Sequence, residues 1–92
     1  MVTFHIPGAL RQFTGGHNLV DIESAGGPLR QVLSELWVLY PGLRDRIATE
    51  QGQIREHINI FVGDENFRFM DGLKTPVAAG SEISIISAVS GG

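Results

Sequence analysis

The sequence has 92 residues, 42% of them hydrophobic, and a formal net charge of −3 at pH 7. A chain of this length folds as one small domain on a single hydrophobic core, which excludes a two-domain protein. Its seven Lys and Arg residues are scattered, which argues against nucleic-acid binding, and the absence of cysteine excludes disulfide bonds and thiolate catalysis.

The first 22 residues predict a β-hairpin with a long loop. Val2, Phe4 and Ile6 alternate with polar residues, which is the period-two pattern of a half-buried strand. A Pro-Gly pair ends this strand, and a Thr-Gly-Gly segment provides turn residues before a second predicted strand over residues 17–22.

An amphipathic helix is predicted to begin at Pro28, because proline is tolerated in the first turn of a helix. Apolar residues then recur with helical spacing along one stripe, which comprises Leu29, Val32, Leu33, Leu36 and Tyr40. Trp37 and Val38 widen the stripe, and a Pro-Gly pair ends the helix. This stripe requires a sheet to cover it.

The second half of the sequence predicts a short helical turn, a surface loop and further strands. Residues 43–57 are mostly polar, with isolated apolar anchors. Residues 58–62 alternate as a third strand, and a turn leads into a short segment over residues 67–69, so we expect a second hairpin. Residues 83–86 alternate as a last strand.

This order of elements predicts an α+β domain in which one main helix covers a mixed sheet. Pairing of the first and last strands would give a central parallel pair. We therefore assign residues 1–86 to the domain and residues 87–92 to a flexible C-terminal tail that projects from the sheet.

Gly91-Gly92 is the most informative motif because of its position. It ends the sequence directly after a predicted strand, where it can serve neither as a turn nor as a helix cap. A frayed end is the structural alternative. Chemically, two residues without Cβ let a carboxylate pass through a narrow channel to the α-phosphate of a nucleotide. The motif then marks the tail as a substrate group.

Together these features resemble the ubiquitin-like (β-grasp) sulfur-carrier proteins, the family of the molybdopterin-synthase small subunit and the thiamin sulfur carrier. The similarity covers nearly the whole sequence, and the matching segments are Phe13 to Gly16, Ile58 to Val62, Asp64-Glu65, Arg68-Phe69 and Ile83 to Gly92. The ending is most similar to carriers of cysteine biosynthesis or of thioquinolobactin (siderophore) biosynthesis. Ser87 stands where many members carry proline.

The resemblance implies a protein co-substrate and not an enzyme. A ubiquitin-activating-enzyme-like adenylyltransferase, using ATP and magnesium, would recognise Ala88, Val89, Ser90 and Gly91 and adenylate Gly92. A sulfur donor would then convert Gly92 to a thiocarboxylate. A downstream synthase would use this sulfur, and in the cysteine route a zinc-dependent peptidase would release the product. The carrier itself would bind no cofactor and no metal.

Other functions remain open at this point. The chain could be a molybdopterin-synthase small subunit, or a ubiquitin-like protein modifier whose Gly92 forms isopeptide bonds with lysines. It could also be an interaction module whose tail does no chemistry. The sequence leaves the sulfur acceptor unassigned.

Two apolar residues are predicted on the open face of the sheet. If Ile60 faces the helix, Phe61 points away from it, and Ile86 likewise points opposite to Ile85. We expect Phe61 and Ile86 to form a partner-binding patch near the tail, although scattered surface hydrophobicity is the alternative.

The remaining chemically interesting residues have structural interpretations. His5 and His17 lie in the first predicted hairpin without a third ligand, so we expect no metal site. Asp64 and Glu65 are expected to be turn residues and not acid-base catalysts. Trp37 is expected in the core or at its edge.

The sequence also indicates where the protein acts. No apolar run approaches the roughly 18 to 20 residues that span a bilayer. The N-terminus begins an alternating pattern instead of a basic segment followed by an apolar stretch. We therefore expect a cytoplasmic protein that binds no membrane.

Overall fold

The computed structural model describes residues 1–87 of the chain. The helices are α1 (Leu29–Leu39) and α2 (Pro41–Ile47). In chain order, the strands are β1 (Val2–His5), β2 (Leu19–Ile22), β3 (Gly26–Pro28), β4 (Ile58–Val62), β5 (Glu65–Asn66), β6 (Pro76–Ala78) and β7 (Glu82–Ser87).

The main sheet has the strand order β2-β1-β7-β4-β5. β1 and β7 are parallel, and the other neighbouring pairs of this sheet are antiparallel. The first and last strands therefore form the predicted central parallel pair, and the mixed sheet of an α+β domain is confirmed. β7 extends through Ser87, one residue beyond the predicted boundary.

Helix α1 and the main sheet share one hydrophobic core. The inward residues of α1 are at most 2% exposed, and they are Leu29, Val32, Leu33 and Leu36. The sheet contributes the alternate residues of its central strands, which are Val2, Phe4, Ile58, Ile60, Ile83 and Ile85. Each such side chain stabilises the fold by roughly 1.5 to 3 kcal/mol. Trp37 packs at the edge of this core, as predicted.

Pro41 separates the two helices and also begins the second one. Proline cannot continue α1, but it fits the first position of α2, where a backbone N–H has no helical partner. Leu43 and Ile47 of α2 are fully buried. The predicted helical turn is therefore a short helix that begins two residues earlier than residue 43 and belongs to the core.

The predicted second hairpin differs from the structure in its returning strand. The strand that pairs with β4 is Glu65–Asn66, whereas Phe67–Phe69 forms a 3₁₀ turn. The side chain of Asn66 accepts a hydrogen bond from the Arg68 backbone N–H at 3.0 Å, which caps this turn. Phe67 consequently enters the core, while Phe69 is 88% exposed.

The long loop of the first hairpin contains a 3₁₀ helix over Gly8–Thr14 that the sequence pattern did not predict. Thr14 is fully buried, and its hydroxyl oxygen lies 2.7 Å from the carbonyl oxygen of His17 and 3.1 Å from that of Arg11. Because a buried hydroxyl group needs a hydrogen-bond partner, these two contacts fix the end of the loop before β2.

A second small sheet, formed by β3 and β6, was also not predicted. It is possible only because Gly26 has no side chain. Gly26 adopts φ of 87°, and a Cβ atom at this position would overlap the carbonyl oxygen of Val77 in β6. This small sheet fixes the N-terminus of α1, where the Leu29 N–H donates to the Thr75 carbonyl at 2.8 Å.

Gly26→Ala should therefore destabilise the protein more than Gly80→Ala. Gly80 has nearly the same φ, 89°, but no atom lies within 4 Å of an added Cβ. We expect Gly80→Ala to cost about 1 to 2 kcal/mol from backbone strain alone. Gly26→Ala adds the displacement of β6, so its loss should be clearly larger in urea unfolding. Equal losses would contradict the close approach of β3 and β6.

Candidate functional site

The predicted tail begins at the centre of the sheet. Ser87, the last residue of β7, pairs with Ile58, the first residue of β4. The predicted tail residues Ala88, Val89, Ser90, Gly91 and Gly92 lie outside the described residues. Five residues reach at most about 17 Å when fully extended.

Phe61 and Ile86 lie on the same face of the sheet, opposite α1. Phe61 pairs with Ser84, and Asn59 pairs with Ile86, which makes Phe61 and Ile86 diagonal neighbours on adjacent strands. Such neighbours are about 7 to 8 Å apart. Phe61 is half-buried and Ile86 is 45% exposed. The structure thus brings the two residues together, and their role in partner binding stays a prediction.

The row of residues that contains Phe61 continues across the open face. Ser84 pairs with His5 of β1, and His5 pairs with Leu19 of β2. Leu19 is 50% exposed. This row therefore combines apolar and polar side chains from β4 to β2. A mixed surface of this kind suits docking of a protein better than binding of a small ligand.

Arg68 forms several hydrogen bonds next to the start of the predicted tail. Its Nη2 donates to the carbonyl oxygens of Ile58 at 2.7 Å and Arg55 at 2.9 Å, and its Nε donates to Asn59 Oδ1 at 3.1 Å. The guanidinium also lies 4.9 Å from the centroid of the Phe67 ring. Because Ile58 pairs with Ser87, Arg68 stabilises the strand end from which the chain continues.

Arg68 entered the sequence analysis only as part of a resemblance, and its structural role was missed. Its acceptors are mainly backbone carbonyls, ten and thirteen residues away in the sequence. Every residue type has a backbone carbonyl group, so the identity of the acceptor residues could not have indicated this role.

The histidines and turn carboxylates hold structural positions. His5 Nε2 lies 2.7 Å from Glu82 Oε1 on the open face, and His17 is exposed in the first loop. Asp64 lies in the turn between β4 and β5, and Glu65 begins β5. Across residues 1–87, no group of three His, Asp or Glu side chains is arranged to hold a metal ion. In the same range, no helix has both the length and the apolar character of a membrane span.

Arg68→Lys should destabilise the protein by about 1 to 2 kcal/mol. Lysine keeps the positive charge, but its single ammonium group cannot donate to all the acceptors that the planar guanidinium group reaches. Arg44→Lys is the matched control, since the only side-chain hydrogen bond or ion pair of Arg44 among the described residues is an exposed one of 3.5 Å to Asp45. The control should change the free energy of unfolding by less than about 0.5 kcal/mol. Chemical denaturation of both variants measures the difference, and an unchanged Arg68→Lys would contradict the anchoring role.

Comparison with known proteins gives matches over nearly the whole chain. The ThiS family profile matches residues 4–92. The sulfur carrier protein CysO of Mycobacterium tuberculosis is 38% identical over 93 residues, which cover 99% of this chain and 98% of CysO. The match therefore includes the Gly-Gly ending as well as the domain.

Solved structures share the fold. A chain in the crystal structure of the BexX/CysO complex of Amycolatopsis orientalis has a TM-score of 0.89 and 32% identity, with both chains fully covered. SAMP1 of Haloferax volcanii has a TM-score of 0.78 and 25% identity, with 99% of this chain and 98% of SAMP1 covered. These similarities confirm the β-grasp fold that the sequence predicted.

Proposed function

Because the chain belongs to the ThiS family of ubiquitin-like sulfur carriers, we propose that it carries sulfur as a thiocarboxylate on Gly92. The observation that supports this most directly is the 38% identity to the sulfur carrier CysO over the full length of both proteins. The proposal makes the protein a co-substrate of other enzymes, consistent with the BexX/CysO complex in which a structural relative is found.

The chemistry requires activation of the terminal carboxylate first. In the proposed reaction, the Gly92 carboxylate attacks the α-phosphate of ATP and pyrophosphate leaves. A sulfur donor that supplies hydrosulfide then attacks the carbonyl carbon of the acyl adenylate, AMP leaves, and loss of the proton on sulfur gives the thiocarboxylate. ATP and magnesium belong to the adenylyltransferase, so the carrier needs no cofactor of its own. Use of ATP supports a cytoplasmic location.

The described residues supply positioning rather than chemistry. β7 is the central strand of the sheet, paired with β1 as far as Ser84 and with β4 as far as Ser87, so pairing with Ile58 positions the residue before the tail. Binding energy from the open face then orients the tail in each partner, which is how remote contacts promote a reaction at a small group. Ala88, Val89, Ser90 and Gly91 are the residues that the proposed partners recognise inside their channels.

The proposed pathway is cysteine biosynthesis. A thiocarboxylate sulfur is a strong nucleophile that can displace the leaving group of an activated serine, and a shift of the acyl group to nitrogen yields cysteine bound to Gly92 by an amide. A peptidase then hydrolyses this amide, and zinc suits that step because it activates water. The CysO similarity supports this route above a siderophore or molybdopterin route.

A protein modifier is the second candidate function. The similarity to SAMP1, which belongs with the small archaeal modifier proteins, favours it specifically. The same acyl adenylate can react with a lysine amine instead of a sulfur nucleophile. Covalent adducts of the chain with other proteins would support the modifier, whereas a released sulfur product would support the carrier.

Deletion of Gly92 should abolish adenylation and leave stability nearly unchanged. The deletion moves the terminal carboxylate to Gly91, one residue short of the reacting position, whereas Gly92 follows the last strand in the sequence and has no side chain to add to the core. Exchange of labelled pyrophosphate into ATP by the adenylyltransferase measures the first effect, and a melting curve measures the second. Normal exchange by the deletion variant would contradict the proposal.

Phe61→Asp and Ile86→Asp should weaken binding to the adenylyltransferase at modest cost in stability. Leu33→Ala is the comparison, because Leu33 is 2% exposed in the core and its truncation should cost about 2 to 5 kcal/mol. Titration calorimetry and urea unfolding separate the two effects. If Phe61→Asp unfolds the domain as severely as Leu33→Ala, the patch belongs to the core and the interface assignment is wrong.

A further inference from the structure

A groove lies between the edge of the main sheet and the C-terminal half of α1, away from the start of the tail. It encloses about 470 Å³ and is lined by three apolar and three acidic residues, Ile22, Val38, Leu39, Asp21, Glu23 and Glu35. Val38 is 80% exposed and Leu39 is 53% exposed. The prediction that Val38 widens the buried stripe is therefore wrong, because Val38 and Leu39 face solvent outside the part of α1 that packs on the core.

The sheet edge beside this groove is open. Within residues 1–87, β2 is the end strand of the main sheet and pairs with β1 alone. The Ile6 N–H donates to the Asn18 carbonyl at 2.9 Å, so alternation turns the backbone groups of Val20 and Ile22 toward β1. The N–H and C=O groups of Leu19 and Asp21 then point outward, in the pattern that an added strand requires.

The opposite edge of the sheet does not offer the same surface. β5 has only two residues and leads at once into the 3₁₀ turn of Phe67–Phe69. Very short edge strands discourage pairing with other chains. β2 has four residues, so it is the edge of the main sheet that can accept a further strand.

The charge of the residues that line the groove indicates which kind of segment it can bind. All three ionisable residues that line it are acidic, and Glu35 is held in place by a hydrogen bond of 2.6 Å from the Ser24 hydroxyl. A second copy of this chain would bring its own Asp21 and Glu23 to the same edge, and this like-charge contact is unfavourable. A segment with lysine or arginine between apolar residues would pair its cations with the carboxylates and would pack its apolar side chains against the apolar residues of the groove.

We propose that this groove binds an extended, basic segment of a partner protein, which adds to β2 as a sixth strand of the main sheet. On the α1 side, apolar side chains of the segment contact Ile22, Val38 and Leu39. On the open face, its alternate cationic side chains lie against Asp21 and Glu23. β1 separates this edge from β7, so a partner can hold the groove while the tail occupies an active site. The inference does not depend on sulfur chemistry.

The test uses the full chain and a blocked peptide of alternating lysine and valine, seven residues long. We expect saturable changes in the amide NMR signals of residues 19–23 and 35–39. Hydrogen exchange at the Leu19 and Asp21 amides should slow about tenfold when the peptide is at about ten times its Kd. A peptide with glutamate in place of lysine should not bind. A peptide with a central proline, which cannot complete the strand pairing, should bind far more weakly.

Two matched variants locate the site. Val38→Lys places a cation and removes an apolar contact in the groove, and it should weaken peptide binding about tenfold or more. Phe69→Lys changes an equally exposed apolar residue elsewhere, so it should leave affinity unchanged. Both side chains are exposed, so neither substitution disturbs the core.

Four results would overturn the proposal. The first is signal changes confined to the face of Phe61 and Ile86, and the second is equal binding of the alternating and proline peptides. The third is self-association that protects the Leu19 amide without any peptide, which would assign the groove to a second copy of the chain. Absence of binding by the lysine-valine peptide would likewise reject it.

Discussion

The structure depends on placing the last strand of the domain in the middle of the sheet. β7 pairs in parallel with β1 on one side and antiparallel with β4 on the other, and its Ile83 and Ile85 are buried beneath α1. A strand fixed from both sides cannot shift in register without moving these side chains to the open face. The residue at which the tail begins is therefore held by the hydrophobic core, although the tail itself lies beyond it.

This arrangement separates the chemistry from the surfaces that select partners. The ThiS family assignment and the CysO similarity support the proposed activation at Gly92, which lies outside the described domain. The open face around Phe61 and Ile86 and the acidic groove along β2 are distinct surfaces of the same domain. An adenylate can react with either a sulfur nucleophile or an amine, so we propose that the partners bound at these surfaces decide between carrier and modifier.

Period-two alternation and the helical stripe were sufficient to predict most of the main sheet and α1 from the sequence. They also predicted that Phe61 and Ile86 share the open face. They could not predict β3 and β6, because that sheet depends on the contact between Gly26 and Val77, which are far apart in the sequence. Arg68 was missed for a related reason, since its partners are mainly backbone carbonyls. The groove became visible only once the strand order showed which edge is open.

The central claim is that Gly92 carries sulfur, and intact-protein mass spectrometry tests it most directly. The chain is incubated with its adenylyltransferase, ATP, magnesium and a sulfur donor, and then fragmented to locate any change. The account predicts a mass increase equal to the replacement of one oxygen by one sulfur, confined to Gly92 and absent without ATP. An unchanged mass, or a mass that appears only as conjugates with other proteins, would contradict it.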